Sequence, residues 1–235
     1  MNMEYGIYPS EGLEIRRRGG GGRSISGRFG LSPGKFRRMG TVRNRGKVRK
    51  EMLMKKSFAW SLNQVKKLKD DVQKLIQQKA KKEVIEDATQ ELARRDIHIL
   101  AGHDFSRVLG SVAAGSAVIE EVEDELDPHL RFEVELPEDE SKWPSYMRDT
   151  VNQIETGLVS GVSPGFVVPP KSAVPDAEEL LPEPGNESVY VRKINQATLY
   201  ELSIVTRPVF TESEVSVRAE DAEQDFMRNG FRIWL

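Results

Sequence analysis

From residue 130 to residue 136 every second side chain is apolar: Leu130, Phe132, Val134 and Leu136 alternate with Arg131, Glu133 and Glu135. Only a pleated strand with one buried and one solvated face satisfies that period, so the chain must build at least one sheet packed over a core. Shorter apolar runs at 97–100, 118–122, 189–191 and 199–205 read as further strands. Residues 13–18 and 23–29 read as two strands joined by a turn of four glycines, which tolerate the positive φ that tight turns demand. Between 61 and 95 the period changes. Val65, Leu68, Val72, Leu75 and Ile76 recur at helical spacing, and Ile85, Ala88 and Leu92 resume the stripe after a polar break at 79–83. Such a charged helix lies on its own domain or pairs with another helix. A second helix carries Tyr146, Met147, Val151, Ile154 and Leu158, with Gly157 placed to end it. The expected fold is mainly β with helices, a small barrel or strongly bent sheet surrounded by several helices.

Charge is sorted along the chain. Residues 1–56 hold 15 Lys and Arg against 4 Asp and Glu, whereas residues 96–235 hold 11 against 27, although the whole chain carries only −2. A basic arm on an acidic body either contacts nucleic acid or an acidic partner, or folds back on its own body. Residues 31–50, rich in Gly, Arg and Lys, read as a mobile loop. With only Phe36 and Met39 in that loop and Phe29 before it, nucleic-acid contact would be weak, electrostatic and salt-sensitive. Residues 169–187 hold five prolines among acidic residues and read as an exposed loop. No apolar run approaches the roughly 18 residues of a membrane span, and the first residues lack a signal peptide's basic-then-apolar order. The expectation is a soluble intracellular protein without membrane contact. The organisation expected is a basic arm with the first strands at 1–56, a main domain at 57–218 and a tail at 219–235.

With no cysteine, a disulfide framework, a thiolate metal site and a cysteine nucleophile are all excluded. Three histidines are available for acid–base work near neutral pH. His98, inside an apolar run, reads as structural, and His129, after Asp127-Pro128, reads as an exposed turn residue. His103, in Gly102-His103-Asp104, follows a strand end, where a rigid framework can hold a side chain over a cleft. Their unlike surroundings give no metal-ligand spacing, and neither a metal nor a cofactor is expected. Ser163 lies in Gly161-Val162-Ser163-Pro164-Gly165. Two readings are open there, a Gly/Pro turn with a capping serine or a nucleophile near backbone N–H donors. The order helix, turn, strand around it excludes the nucleophile elbow of α/β-hydrolases, which needs strand, turn, helix.

A longer succession narrows the choice. Leu13-Glu14-Ile15-Arg16, Ile25-Ser26-Gly27-Arg28-Phe29, Val48-Arg49-Lys50-Glu51, Gly102-His103-Asp104, Val108-Leu109-Gly110-Ser111, Leu130-Arg131-Phe132, the stretch from Gly157 to Phe166, and Tyr200-Glu201-Leu202-Ser203-Ile204-Val205 followed by Thr206-Arg207-Pro208 occur in this order. Together they resemble the prohead proteases of tailed phages, capsid-maturation serine endopeptidases similar in fold to herpesvirus assemblins. The resemblance covers about residues 13 to 218. It implies an assemblin-like barrel in which His103 is general base, Ser163 nucleophile and Glu201 the residue orienting His103. The candidate oxyanion donors are backbone N–H groups near Ser163 or around Thr206-Arg207, with Arg207 contributing through its backbone or its guanidinium. Asp104 is a rival for the orienting role, and Glu201 has a plain reading as a solvated strand residue. The resemblance further implies no cofactor, homo-oligomerisation, and action inside the immature capsid in the host cytoplasm. Substrates would be the scaffold protein, the N-terminal region of the major capsid protein, and the enzyme itself. The long helix at 63–96 and the acidic loop after Phe166 depart from the family's usual pattern. They leave partner and specificity open more than reaction type. Two other classes stay open, a non-catalytic assembly factor acting through the helix from Val65 to Leu92 and a nucleic-acid-binding packaging factor using the arm from Arg16 to Lys56.

Overall fold

The computed structural model describes residues 4–5, 10–17, 22–34, 40–44 and 47–206. In chain order its strands are β1 (Glu4–Tyr5), β2 (Ser10–Arg17), β3 (Arg23–Gly30), β4 (Gly40–Asn44) and β5 (Lys47–Leu53). Two helices follow, α1 (Ala59–Gln77) and α2 (Lys82–Arg94). Next come β6 (His98–Ala101), β7 (Val108–Ser111), β8 (Ala117–Val122), β9 (His129–Glu135) and α3 (Ser145–Glu155). The chain then forms β10 (Gly161–Val167), β11 (Glu178–Glu183), β12 (Asn186–Ile194) and β13 (Thr198–Val205).

These strands make three sheets, ordered β1-β10-β13-β6-β7, β2-β3-β9-β8 and β11-β12-β5-β4. The alternation at 130–136 lies inside the second, where β9 buries Leu130, Phe132 and Val134 and exposes Arg131 and Glu135. Its core is continuous with that of the first sheet, through Ile25, Phe29, Ile99, Val162, Leu202 and Ile204. Fold class is as expected, mainly β with helices, but the barrel is not. Among the described residues no ladder joins the first two sheets. β7 lies against β8 and β9, and β10 against β2 and β3, through packing rather than backbone pairing, so both sheets stay open.

The helical stripe at 61–95 is two helices packed on each other rather than one. The break falls at 78–81, where Lys79 takes a left-handed φ of 52° and the run Gln78-Lys79-Ala80-Lys81 offers no large apolar side chain to carry the stripe across. α1 rests on β13 and β8, burying Ser61, Val65 and Val72, which favours the helix lying on its own domain. α3 ends as the sequence suggests. Gly157 N–H bonds the carbonyl of Ile154 and Leu158 N–H that of Gln153, with Gly157 at φ 72°. This is the paired closure that glycine permits after a helix.

Two loop expectations are corrected. Part of 31–50 is strand, because β5 runs parallel to β12 with Lys50 opposite Val191, and β4 pairs with β5. Backbone ladders order these basic residues. Residues 178–183 likewise pair antiparallel with β12, Pro182 lying on an edge strand where its missing N–H costs no interior ladder bond. A buried ion pair ties that sheet together: Arg192 donates to Glu51 at 3.1 Å and to Glu178 at 2.5 Å, with Glu51 2% exposed. The tail at 219–235 lies outside the described residues.

Candidate active site

The site is laid out by strand register. β10 and β13 are antiparallel, with Ser163 opposite Ser203 and Gly165 opposite Glu201. Directly opposed residues share a face, and alternate residues along a strand return to it. Ser163, Gly165, Glu201 and Ser203 therefore lie on one face, while Val162, Leu202 and Ile204 turn to the core. β13 also runs parallel to β6, which places the end of β6 beside Ile204.

His103 reaches this face from the turn after β6. Gly102 and His103 both adopt left-handed backbone, φ 70° and 61°, and Gly102 N–H continues the ladder to the carbonyl of Ile204 at 3.0 Å. For a residue with a Cβ this conformation is unfavourable by roughly 1–2 kcal/mol. The turn is held closed by Asp104, whose carboxylate accepts from the hydroxyl of Ser106 at 2.6 Å and from its N–H at 2.8 Å, with Arg107 at 3.2 Å. The Ser106 hydroxyl, then its N–H and the Arg107 charge, hold the Asp104 carboxyl below its ordinary value.

Over the shared face His103 Nε2 stands 3.0 Å from Ser163 Oγ, and Nδ1 stands 2.7 Å from Glu201 Oε1. A carboxylate only accepts, so Nδ1 carries the proton and the Nε2 lone pair faces the Ser163 hydroxyl. Glu201 is 0% exposed. Its other oxygen accepts from the Ser203 hydroxyl at 2.6 Å, and that hydroxyl in turn accepts the backbone N–H of His103 at 2.9 Å. Room for the carboxylate comes from Gly165, since a Cβ there would stand 2.1 Å from Glu201 Oε1. The arrangement can lift a proton from a buried serine and stabilise the resulting imidazolium.

Three residues expected together are thus together, and one ambiguity is resolved. Asp104, the rival partner, turns to Ser106 and Arg107, and the buried Glu201 meets the ring. Ser163 sits within β10, not on a turn, because Gly161–Val167 is paired along its length with β13. His98 is structural, its Nε2 3.2 Å from Asp96 and its ring edge-on to Phe105. His129 is half-buried rather than exposed, with Nδ1 2.8 Å from the carbonyl of Asp127. Arg207 lies outside the described residues. Sequence reasoning missed Gly165 and Ser203, although both stand two residues from a singled-out residue, the spacing that returns to one face of a strand.

A family model described as Caudovirus prohead serine protease matches residues 58–227. That span is well over half of the chain. The chain belongs to the caudovirus prohead serine protease family. No curated protein and no solved structure matches it. As a prohead serine protease it is a serine endopeptidase of phage head maturation, acting on capsid proteins inside the prohead within the host cell. No helix among the described residues is long and apolar enough to cross a membrane. The matched span contains the strands bearing Ser163 and Glu201 and the turn bearing His103. It begins after β5, so the first five strands stand ahead of it.

Proposed function

We propose that Ser163 is the nucleophile of this prohead protease, His103 its general base and acid, and Glu201 the residue that orients His103. One observation carries the reading: an unbroken hydrogen-bonded line from Ser163 Oγ through both ring nitrogens to a fully buried carboxylate. Ser163 Oγ attacks the scissile carbonyl while His103 Nε2 takes its proton, and Glu201 stabilises the imidazolium through Nδ1–H. The imidazolium then protonates the leaving amine, and water, activated by the same Nε2, hydrolyses the acyl-enzyme. Pro164 has no N–H to offer the oxyanion. Arg207, next after exposed Thr206 at the end of β13, is our candidate donor on sequence position.

The proposed substrates are the scaffold protein and the N-terminal region of the major capsid protein, with cleavage of the enzyme itself. Homo-oligomerisation belongs to the same reading by likeness to assemblins. The basic residues between Arg16 and Lys56 support weak, salt-sensitive contact with nucleic acid. The test is intact mass over time for wild type and Ser163→Ala, each co-expressed with the capsid and scaffold proteins. Loss of a triad member slows hydrolysis by about 10⁴-fold or more. Discrete fragments from wild type alone support the assignment, and equal fragments from both overturn it.

A further inference from the structure

Ser203 stands directly opposite Ser163 in the sheet and is 0% exposed, yet it makes no bond within a turn or a helix cap. Its hydroxyl instead joins two other members of the site. It donates to Glu201 Oε2 at 2.6 Å and accepts the His103 backbone N–H at 2.9 Å. Each bond meets a need that nothing else shown on this face meets. A carboxylate held at one oxygen by the imidazole alone could turn about its terminal torsion, which is broad and roughly two-fold for Glu. The second bond, to the other oxygen, fixes the carboxylate plane and so the direction from which Oε1 meets Nδ1–H. The bond to the His103 amide pins the backbone of a residue held at a left-handed φ, at the point where the ring leaves the turn. One hydroxyl thereby sets the distance between the imidazole and its carboxylate from both ends.

We infer that Ser203 is a positioning residue of the protease, locking Glu201 and the His103 backbone so that the imidazole faces Ser163 with Nε2 unprotonated. The inference rests on the proposed roles of Ser163, His103 and Glu201. Ser203 touches no reacting atom, and its effect passes through the other residues.

A fluorophosphonate probe tests this without knowledge of the natural cleavage site, because it reports how readily the activated serine forms a covalent bond. The full chain is labelled as wild type, Ser163→Ala, His103→Ala, Ser203→Ala, Ser203→Thr and Ser203→Cys, with labelling rates read by intact mass and folding by melting temperature. Loss of an orienting partner one bond removed from the reacting group costs roughly 10- to 100-fold. Ser203→Ala is expected to label that much more slowly than wild type at saturating probe, with the probe's half-saturation concentration unchanged. Ser203→Thr, which keeps the hydroxyl, restores the rate to within about 5-fold of wild type by the same reasoning. A merely structural serine would shift melting temperature without this split and without rescue. A folded Ser203→Ala that labels at the wild-type rate overturns the inference, and so does a Thr variant as slow as the Ala variant. Should Ser203→Ala fail to fold, Ser203→Cys decides, since a thiol is a weaker donor of similar shape. Slowed labelling there supports the role, and wild-type labelling removes it. If Ser163→Ala or His103→Ala labels like wild type, the triad itself fails, a result distinct from failure of Ser203 alone.

Discussion

Substituting alanine at Gly165 should disable the protease without replacing any residue of the proposed triad. The added Cβ would stand 2.1 Å from Glu201 Oε1 and 2.8 Å from Cγ and Cδ of the same side chain. An ordinary carbon–oxygen contact needs about 3.4 Å or more, so the carboxylate must retreat by more than about 1 Å. The bond from His103 Nδ1, now 2.7 Å, then leaves hydrogen-bond range, and the one from Ser203 is strained with it. A displacement of about 1 Å in a catalytic constellation costs on the order of 10²-fold in rate, and complete loss of the orienting carboxylate costs about 10⁴-fold. The expected loss in kcat lies between these, about 3–5 kcal/mol of transition-state stabilisation. Stability should fall by less, roughly 1–3 kcal/mol, because the obstacle is a side chain rather than backbone and the strand ladder is unchanged. Fluorophosphonate labelling and cleavage of the major capsid protein, followed beside thermal unfolding, read the two effects separately. The decisive comparison is the double variant Gly165→Ala/Glu201→Ala. If the glycine acts only by making room for the carboxylate, the double variant is no slower than Glu201→Ala. A folded Gly165→Ala enzyme within tenfold of wild type, or additive losses in the double variant, would refute the reasoning.

Two further outcomes follow from charges near and far from the site. The depressed Asp104 carboxyl stabilises the folded turn above the ordinary aspartate range, and that contribution disappears as pH falls through its lowered folded value. The melting-temperature gap between wild type and Asp104→Asn should therefore be full above the ordinary aspartate range and narrow as pH falls below it. A gap unchanged across that window would show that the carboxylate charge contributes nothing. Arg192→Met removes a guanidinium from the nearly buried Glu51, with an expected loss of roughly 3–5 kcal/mol in urea unfolding, whereas Arg192→Met/Glu51→Leu recovers most of it. Equal losses in the single and double variants would mean that packing, not the loss of this ion pair, sets the cost.

The strands and helices were legible wherever periodicity reports burial. β9 declares itself by alternation, and the end of α3 by Gly157. Periodicity failed where order comes from backbone pairing. β4, β5 and β11 carry few apolar residues and are ordered by ladders, β4 on β5, β11 on β12, and β5 on β12, which lies far along the chain, so the stretches read as loops. The site was legible only in part. Ser163 reads locally as a Gly/Pro turn, and its place inside a strand depends on pairing with residues 40 positions later. Glu201 reads as solvated by its charge, although its side chain is fully buried. Neither burial nor register can be computed from the local sequence, and the ordered succession of short blocks supplied what periodicity lacked. The open sheets were hidden for a similar reason, since strand count and curvature do not reveal whether the last ladder closes.

The placement of β13 between β6 and β10 has a temporal consequence. The strand that delivers the nucleophile and the turn that delivers the imidazole come from β10 and β6, which are never neighbours, and the last described strand is the only bridge between them. A nascent chain that has emerged as far as β12 holds Ser163 and His103 but has no strand to bring them together and no carboxylate to hold the ring. Hydrolytic competence is thus deferred until β13 has been made: a polypeptide that stops at β12 remains inert toward its neighbours.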